Sequence, residues 1–286
     1  MRRMLPPDTL LSRVAIITGG GTGLGREIAR EFGRLGASLV LASRDPAHLQ
    51  PAVAELEAAG IPALAVPTDV RDHHQVRRLV RAAVERFGRL DILVNNAAGN
   101  FIRPSERLPE SAFANVVDIV LNGTFYCSRA AGREMMARGG GVILNVVATY
   151  AWTGGPGTLH SAAAKAGVLA LTRTLAVEWA PKGIRVLAIA PGPFESRGAA
   201  DRLWPSEELR EKVRRSIPLR RFARRDEVAR LCAFLVSDHA SYMTGECVTI
   251  DGGGWLGRGL LADETAEGPP VVRRRRGGPA EGDDET

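Results

Sequence analysis

The sequence predicts an α/β fold: a single doubly wound parallel sheet of about seven strands, with helices on both faces. Three observations predict it. Short apolar runs alternate with longer segments of helical spacing along most of the chain. The first of those runs feeds a glycine-rich turn that opens a helix, the Rossmann-like arrangement. Hydrophobic residues make up 45% of the chain and aromatics only 5%, so the core is one of Ala, Val, Leu and Ile, as under parallel strands.

Val14–Thr18 (VAIIT) is that first strand, followed by GGGTGLG and by helical spacing of Ile28, Ala29, Phe32 and Leu35 over Arg26–Leu35. Gly19 permits the tight turn, Gly23 lets backbone approach a pyrophosphate, and Gly25 lets the helix pack close on the strand. Free N–H groups at the helix start then face the phosphates. The next strand, Ser38–Ala42, ends at Ser43 and Arg44, about twenty residues past the glycines, where an NAD site offers a carboxylate. A hydroxyl and a guanidinium fork suit a 2′-phosphate instead, so NADP(H) is preferred over NAD(H). Asp45 is the alternative ribose ligand, but ahead of Pro46 it reads better as a helix cap.

A helix over Ala47–Ala59, a strand over Ala63–Pro67 and the turn Thr68-Asp69-Val70 come next. Asp69 either accepts from an adenine amino group or caps the helix running to Phe87. Strand Asp91–Val94 leads into NNAAGN, where small residues let the chain pass a flat cofactor and Asn95 and Asn96 either line it or satisfy turn backbone. Ser111–Ala137 reads as one long helix, followed by a strand to Val147 and a helix from near His160 to Trp179. Strand Ile184–Ile189 enters PGPFESRGAA, which opens a segment expected as a mobile lid over about 191–225. Helix Asp226–Val236 and strand Cys247–Ile250 complete the pattern before DGGG.

One domain over 13–259 is expected, with an N-terminal extension at 1–12 and a charged, disordered tail at 260–286 that has almost nothing to bury. The net charge of +6 is spread over scattered arginines without an aromatic-basic motif, which argues against a nucleic-acid partner and for a solvated surface. Three cysteines without paired spacing indicate reduced thiols, no metal site and a cytoplasmic setting. No apolar run reaches membrane-spanning length, and the opening MRRMLPPDTL lacks a signal peptide's apolar core.

The stretch YAWTGGPGTLHSAAAK, Tyr150 to Lys165, narrows the function. Ser161 and Lys165 share a helical face, one turn apart. Tyr150, the nearby phenol, lies outside that helix, yet strand ends and helix starts converge on one crevice in such sheets.

TGGGTGLG, NNAAG, the Lys165 helix, APGP and MTGECVTIDGG together resemble the short-chain dehydrogenase/reductase superfamily over about Val14 to Gly254. That family's usual Asn, Ser, Tyr and Lys fall on Val120, Ala148, Ser161 and Lys165, so only the lysine survives. NNAAGNF, DIVLNGT, Tyr150 fifteen residues before Lys165, and PGPFESRGAADRL are similar to the mitochondrial-type 2,4-dienoyl-CoA reductases. The resemblance implies NADPH reduction of a dienoyl thioester in unsaturated fatty acid β-oxidation, with acyl-CoA as substrate and a homotetrameric enzyme. It implies Tyr150 and Asn100 as oxyanion donors, Lys165 on the nicotinamide ribose, and Ser161 placing the thioester. Phe101 then lines the acyl path and Arg202 meets the CoA phosphates. The cofactor set extends to Thr22, Leu24, Ala97, Pro191, Gly192 and Phe194. A reductase of a 3-oxoacyl or 2-enoyl thioester, and a non-catalytic dinucleotide-binding protein, are the alternatives.

Overall fold

An apolar run becomes a buried strand when both its faces are covered, and the seven runs here are laid side by side. The computed structural model describes residues 5–194 and 206–256. Its strands are β1 (Val14–Thr18), β2 (Ser38–Ser43), β3 (Ala63–Pro67), β4 (Ile92–Asn95), β5 (Gly141–Val146), β6 (Ile184–Pro191) and β7 (Cys247–Ile250). All pair in parallel, in the order β3-β2-β1-β4-β5-β6-β7. The order reverses between β1 and β4, where Ile17 pairs with Val94, and a crevice opens beyond the carboxyl ends of the strands there.

The described helices are α1 (Gly23–Arg34), α2 (Pro46–Ala58), α3 (His73–Phe87), α4 (Glu110–Val117), α5 (Gly123–Ala137), α6 (Tyr150–Thr153), α7 (Leu159–Trp179), α8 (Glu207–Ser216) and α9 (Arg225–Val236). Strand β1 shows how the layers divide. Ala15 and Ile17 pack with Ile28 and Phe32 of α1, while Val14 and Ile16 pack in the opposite layer with Leu79 of α3 and Met135 of α5. Two cores on two faces are what double winding requires.

Three expectations change. Helix α1 starts at Gly23 rather than Arg26, because the glycine turn runs directly into the first helical turn. The single helix expected over Ser111–Ala137 is α4, a π-helical turn at Asp118–Asn122, and α5. At that widened turn the Thr124 hydroxyl donates to the Val120 carbonyl, and a side chain entering the backbone ladder is one way a helix is bent. The segment 5–12, expected as an extension, belongs to the domain: Leu5 and Leu10 are buried in the α1 layer, and Leu10 N–H donates to Leu35 O. Residues 195–205, with Arg202 and most of the expected lid's first half, lie outside the described residues, as does the tail. Among the described residues no helix is long and apolar enough to cross a membrane.

Candidate active site

Gly19 (φ +65°) and Gly23 (φ +55°) hold backbone conformations that a side chain would strain. A Cβ on Gly23 would meet nothing within 4 Å, so this stretch of backbone borders open space. Gly25 has a different role from the one expected: a Cβ there would sit 2.2 Å from the Gly19 carbonyl oxygen and 2.7 Å from Asn96 Nδ2, so its bareness makes room for the turn, not the strand. Thr22 caps α1 without a side-chain hydrogen bond, and the first turn carries no acidic residue. The free N–H groups and positive end of α1 are therefore available to an anion. Leu24 is buried in the core, which leaves only its backbone to face a ligand.

Thr18 and Asn96 fix the turn. Thr18 Oγ1 accepts from the N–H groups of Asn96 and Ala97, each at 3.0 Å, and Asn96 Nδ2 donates to Thr18 O at 2.9 Å. Asn95 is a correction. Its buried amide donates to Asn145 Oδ1 at 2.8 Å and Ser128 Oγ at 3.0 Å, and Asn145 Nδ2 donates on to Thr172 Oγ1 at 2.8 Å. That chain ties β4, β5, α5 and α7 together, so the Asn95 side chain is committed to the fold and not to a cofactor.

At the end of β2, Ser43, Arg44, Asp45, Pro46 and His48 line an open pocket of about 480 Å³. Arg44 is exposed there with no hydrogen bond or ion pair among the described residues, while Asp45 accepts from Ala47 N–H and caps α2. Asp69 does not cap α3. Asp72 does, immediately before the first helical residue, and the Asp69 carboxyl is bonded by Arg71, which holds it below the usual carboxylate range.

The second half of the crevice converges on one phenol. Tyr150 opens α6 just past β5, and its Oη accepts from Asn100 Nδ2 at 3.2 Å and shares a hydrogen bond with Ser161 Oγ at 3.0 Å. Asn100 Oδ1 accepts from Phe101 N–H at 2.9 Å, which fixes which way the amide faces. Burial pushes the Tyr150 phenol up and the Ser161 hydrogen bond draws it partly back, so it stays protonated and able to donate. Lys165 is buried one helical turn beyond Ser161, its Nζ donating to Val146 O, and burial draws its ammonium down to about 8. At the end of β6, Pro191 precedes Gly192, whose N–H donates to Ile250 O and whose Cβ would stand 2.6 Å from that of Asp251. Phe194 bridges to Ala223 and packs against the α1 layer.

Sequence reasoning missed His160. Its ring is 0% exposed, lies 4.2 Å from the Phe101 ring at 19°, and among the described residues neither nitrogen has a hydrogen-bond partner of good geometry, the Phe101 backbone standing near without one. Leaving such a group unsatisfied costs about 1–3 kcal/mol. Burial holds the imidazole below its usual range, and the Phe101 backbone pulls it partly back. No residue pattern signals this, because it depends on what α7 meets.

Residues 19–254 match the family model described as enoyl-(acyl carrier protein) reductase. A solved short chain dehydrogenase from Bacillus anthracis is 46% identical with a TM-score of 0.80, over 87% of this chain and 98% of that one. The chain belongs to the short-chain dehydrogenase/reductase family. Such a fold holds a nicotinamide dinucleotide, and the bare glycine turn facing an uncapped helix start fits one. This short-chain dehydrogenase/reductase is also 48% identical to a Bacillus subtilis protein named a probable 2,4-dienoyl-CoA reductase, (2E)-enoyl-CoA-producing, over 85% of this chain and 97% of the relative. It is 40% identical to an Arabidopsis thaliana peroxisomal 2,4-dienoyl-CoA reductase, (3E)-enoyl-CoA-producing, over 88% and 87% of the two chains.

Proposed function

We propose that the protein is an NADPH-dependent reductase of 2,4-dienoyl-CoA thioesters, acting in unsaturated fatty acid breakdown. The observation that carries this reading is the meeting of Asn100 Nδ2 and Ser161 Oγ on the Tyr150 hydroxyl. An ordinary ketone reductase needs a phenol made acidic by a neighbouring cation, to protonate a new alkoxide. Here the family's phenol position is Ser161, and Tyr150 is raised by burial instead. A protonated phenol and an amide aimed at one place suit an oxygen on which charge collects.

NADPH, when bound, supplies the hydride for the δ carbon. Tyr150 and Asn100 hold the thioester oxygen at the other end of the conjugated chain, and the surplus charge spreads towards them. Protonation at the α carbon, by Tyr150 or a water it orders, completes the reduction, because that carbon adjoins the held oxygen while the γ carbon lies further along the chain. This route leaves a 3-enoyl thioester. Lys165 holds the nicotinamide ribose and Ser161 places the thioester. Arg44 with Ser43 receives the 2′-phosphate, a reading supported by an exposed guanidinium that makes no hydrogen bond or ion pair among the described residues. A panel of thioesters with NADPH is the test: 2,4-dienoyl-CoA is expected to turn over fastest, and faster reduction of a 3-oxoacyl substrate would reject the reading.

A further inference from the structure

We propose that His160 is a positioning residue that sets the Asn100 amide through the Phe101 ring. The inference rests on the proposed function in taking Asn100 as an oxyanion donor. The linkage is continuous: the His160 ring stacks on the Phe101 ring, Phe101 N–H donates to Asn100 Oδ1, and Asn100 Nδ2 donates to Tyr150 Oη. His160 stands directly before Ser161, which bonds the same phenol. The first turn of α7 therefore grips the phenol and its amide partner by two separate routes, one polar and one through stacked rings.

A leucine would fill this fully enclosed place without stranding two ring nitrogens, so the imidazole is a poor choice for stability. What a flat ring offers and leucine does not is a stacking face that fixes the plane of Phe101. Phe101 also packs against the layer of α3, α5 and α7, and Arg103 N–H donates to Gly157 O, but neither of these contacts fixes the plane of the Phe101 ring as a stacked face does. A shift of the loop would carry the Asn100 amide out of line with the charge it receives, and small displacements of that kind are costly in rate.

The test compares His160→Leu, His160→Phe and His160→Met, alone and with Asn100→Ala, on whichever acyl thioester the wild type reduces fastest. A wrong substrate then sinks the proposed function without touching this inference. His160→Leu is expected to lower kcat about tenfold with the KM for NADPH unchanged and thermal stability equal or higher. His160→Phe should keep kcat within about threefold, and His160→Leu should not slow Asn100→Ala further. Wild-type kcat in His160→Leu, a loss that adds fully to that of Asn100→Ala, or a His160→Phe as slow as His160→Leu would each overturn the proposal. Should His160→Leu fail to fold, His160→Met, which keeps the volume without a flat ring, decides: full additivity with Asn100→Ala rejects the proposal, and less than full additivity supports it.

Discussion

Where the crevice is proposed to receive phosphates, Gly19, Gly23 and Gly25 shape it through backbone alone, whereas at its far end Asn100, Tyr150 and Ser161 meet through side chains. The glycines lie within one turn of chain. Asn100 and Tyr150 are fifty positions apart and touch only because β4 and β5 are neighbours whose Asn95 and Asn145 stand in register. The first half is therefore a local device common to dinucleotide sites, and the second is assembled by the fold. Chemistry specific to one substrate is expected to reside in the assembled half, where changing one side chain leaves the nucleotide cradle intact.

Lys165 breaks the comparison most severely, since its proposed role is to hold the cofactor's nicotinamide ribose while it stands one helical turn beyond Ser161. Replacing it by alanine should lower kcat/KM by about a thousandfold and weaken NADPH binding as well, seen in steady-state rates and a fluorescence titration. Asn100→Ala sharpens the contrast: kcat should fall on the order of a hundredfold with the NADPH dissociation constant unmoved. Arg44→Ser should do the opposite, raising the KM for NADPH about tenfold while leaving that for NADH and kcat alone.

A further effect falls on stability and not on rate. The Lys165 ammonium is drawn from 10.5 to about 8 by burial alone, a cost on the order of 3 kcal/mol. Below pH 8 folded and unfolded chains both hold this proton and the cost is fully present. Between 8 and 10.5 the unfolded chain binds more protons, so wild-type stability gains from this site as pH rises. Lys165→Met should be more stable at pH 7 by about 2 kcal/mol, after loss of the bond to Val146 O, and should lose that advantage by pH 11 in urea titrations.

The same division explains what could be read in advance. Strand β3 falls on Ala63–Pro67 and β7 on Cys247–Ile250 as read from their apolar runs, and the parallel sheet follows from strand and helix alternation, whereas the strand order is known only from the fold. The tight turn at Gly19 is legible because left-handed backbone is a local demand. Asn95 was misplaced, since an asparagine ending a strand looks the same whether it faces a ligand or a buried Ser128. The π-helical turn was hidden because one widened turn barely disturbs helical spacing. Tyr150 lies off the α7 face; the convergence of strand ends and helix starts admits it to the crevice, and only the resemblance gives it a role. His160 left no trace, because burial without a partner is a property of packing.

Oxidation of NADPH by 2,4-dienoyl-CoA, followed in wild type and Tyr150→Phe with the product double bond located, puts most at stake. The account predicts a 3-enoyl product and a rate lower in the variant by about a hundredfold at unchanged cofactor affinity. A variant as fast as wild type would contradict the assignment of the phenol to the developing charge.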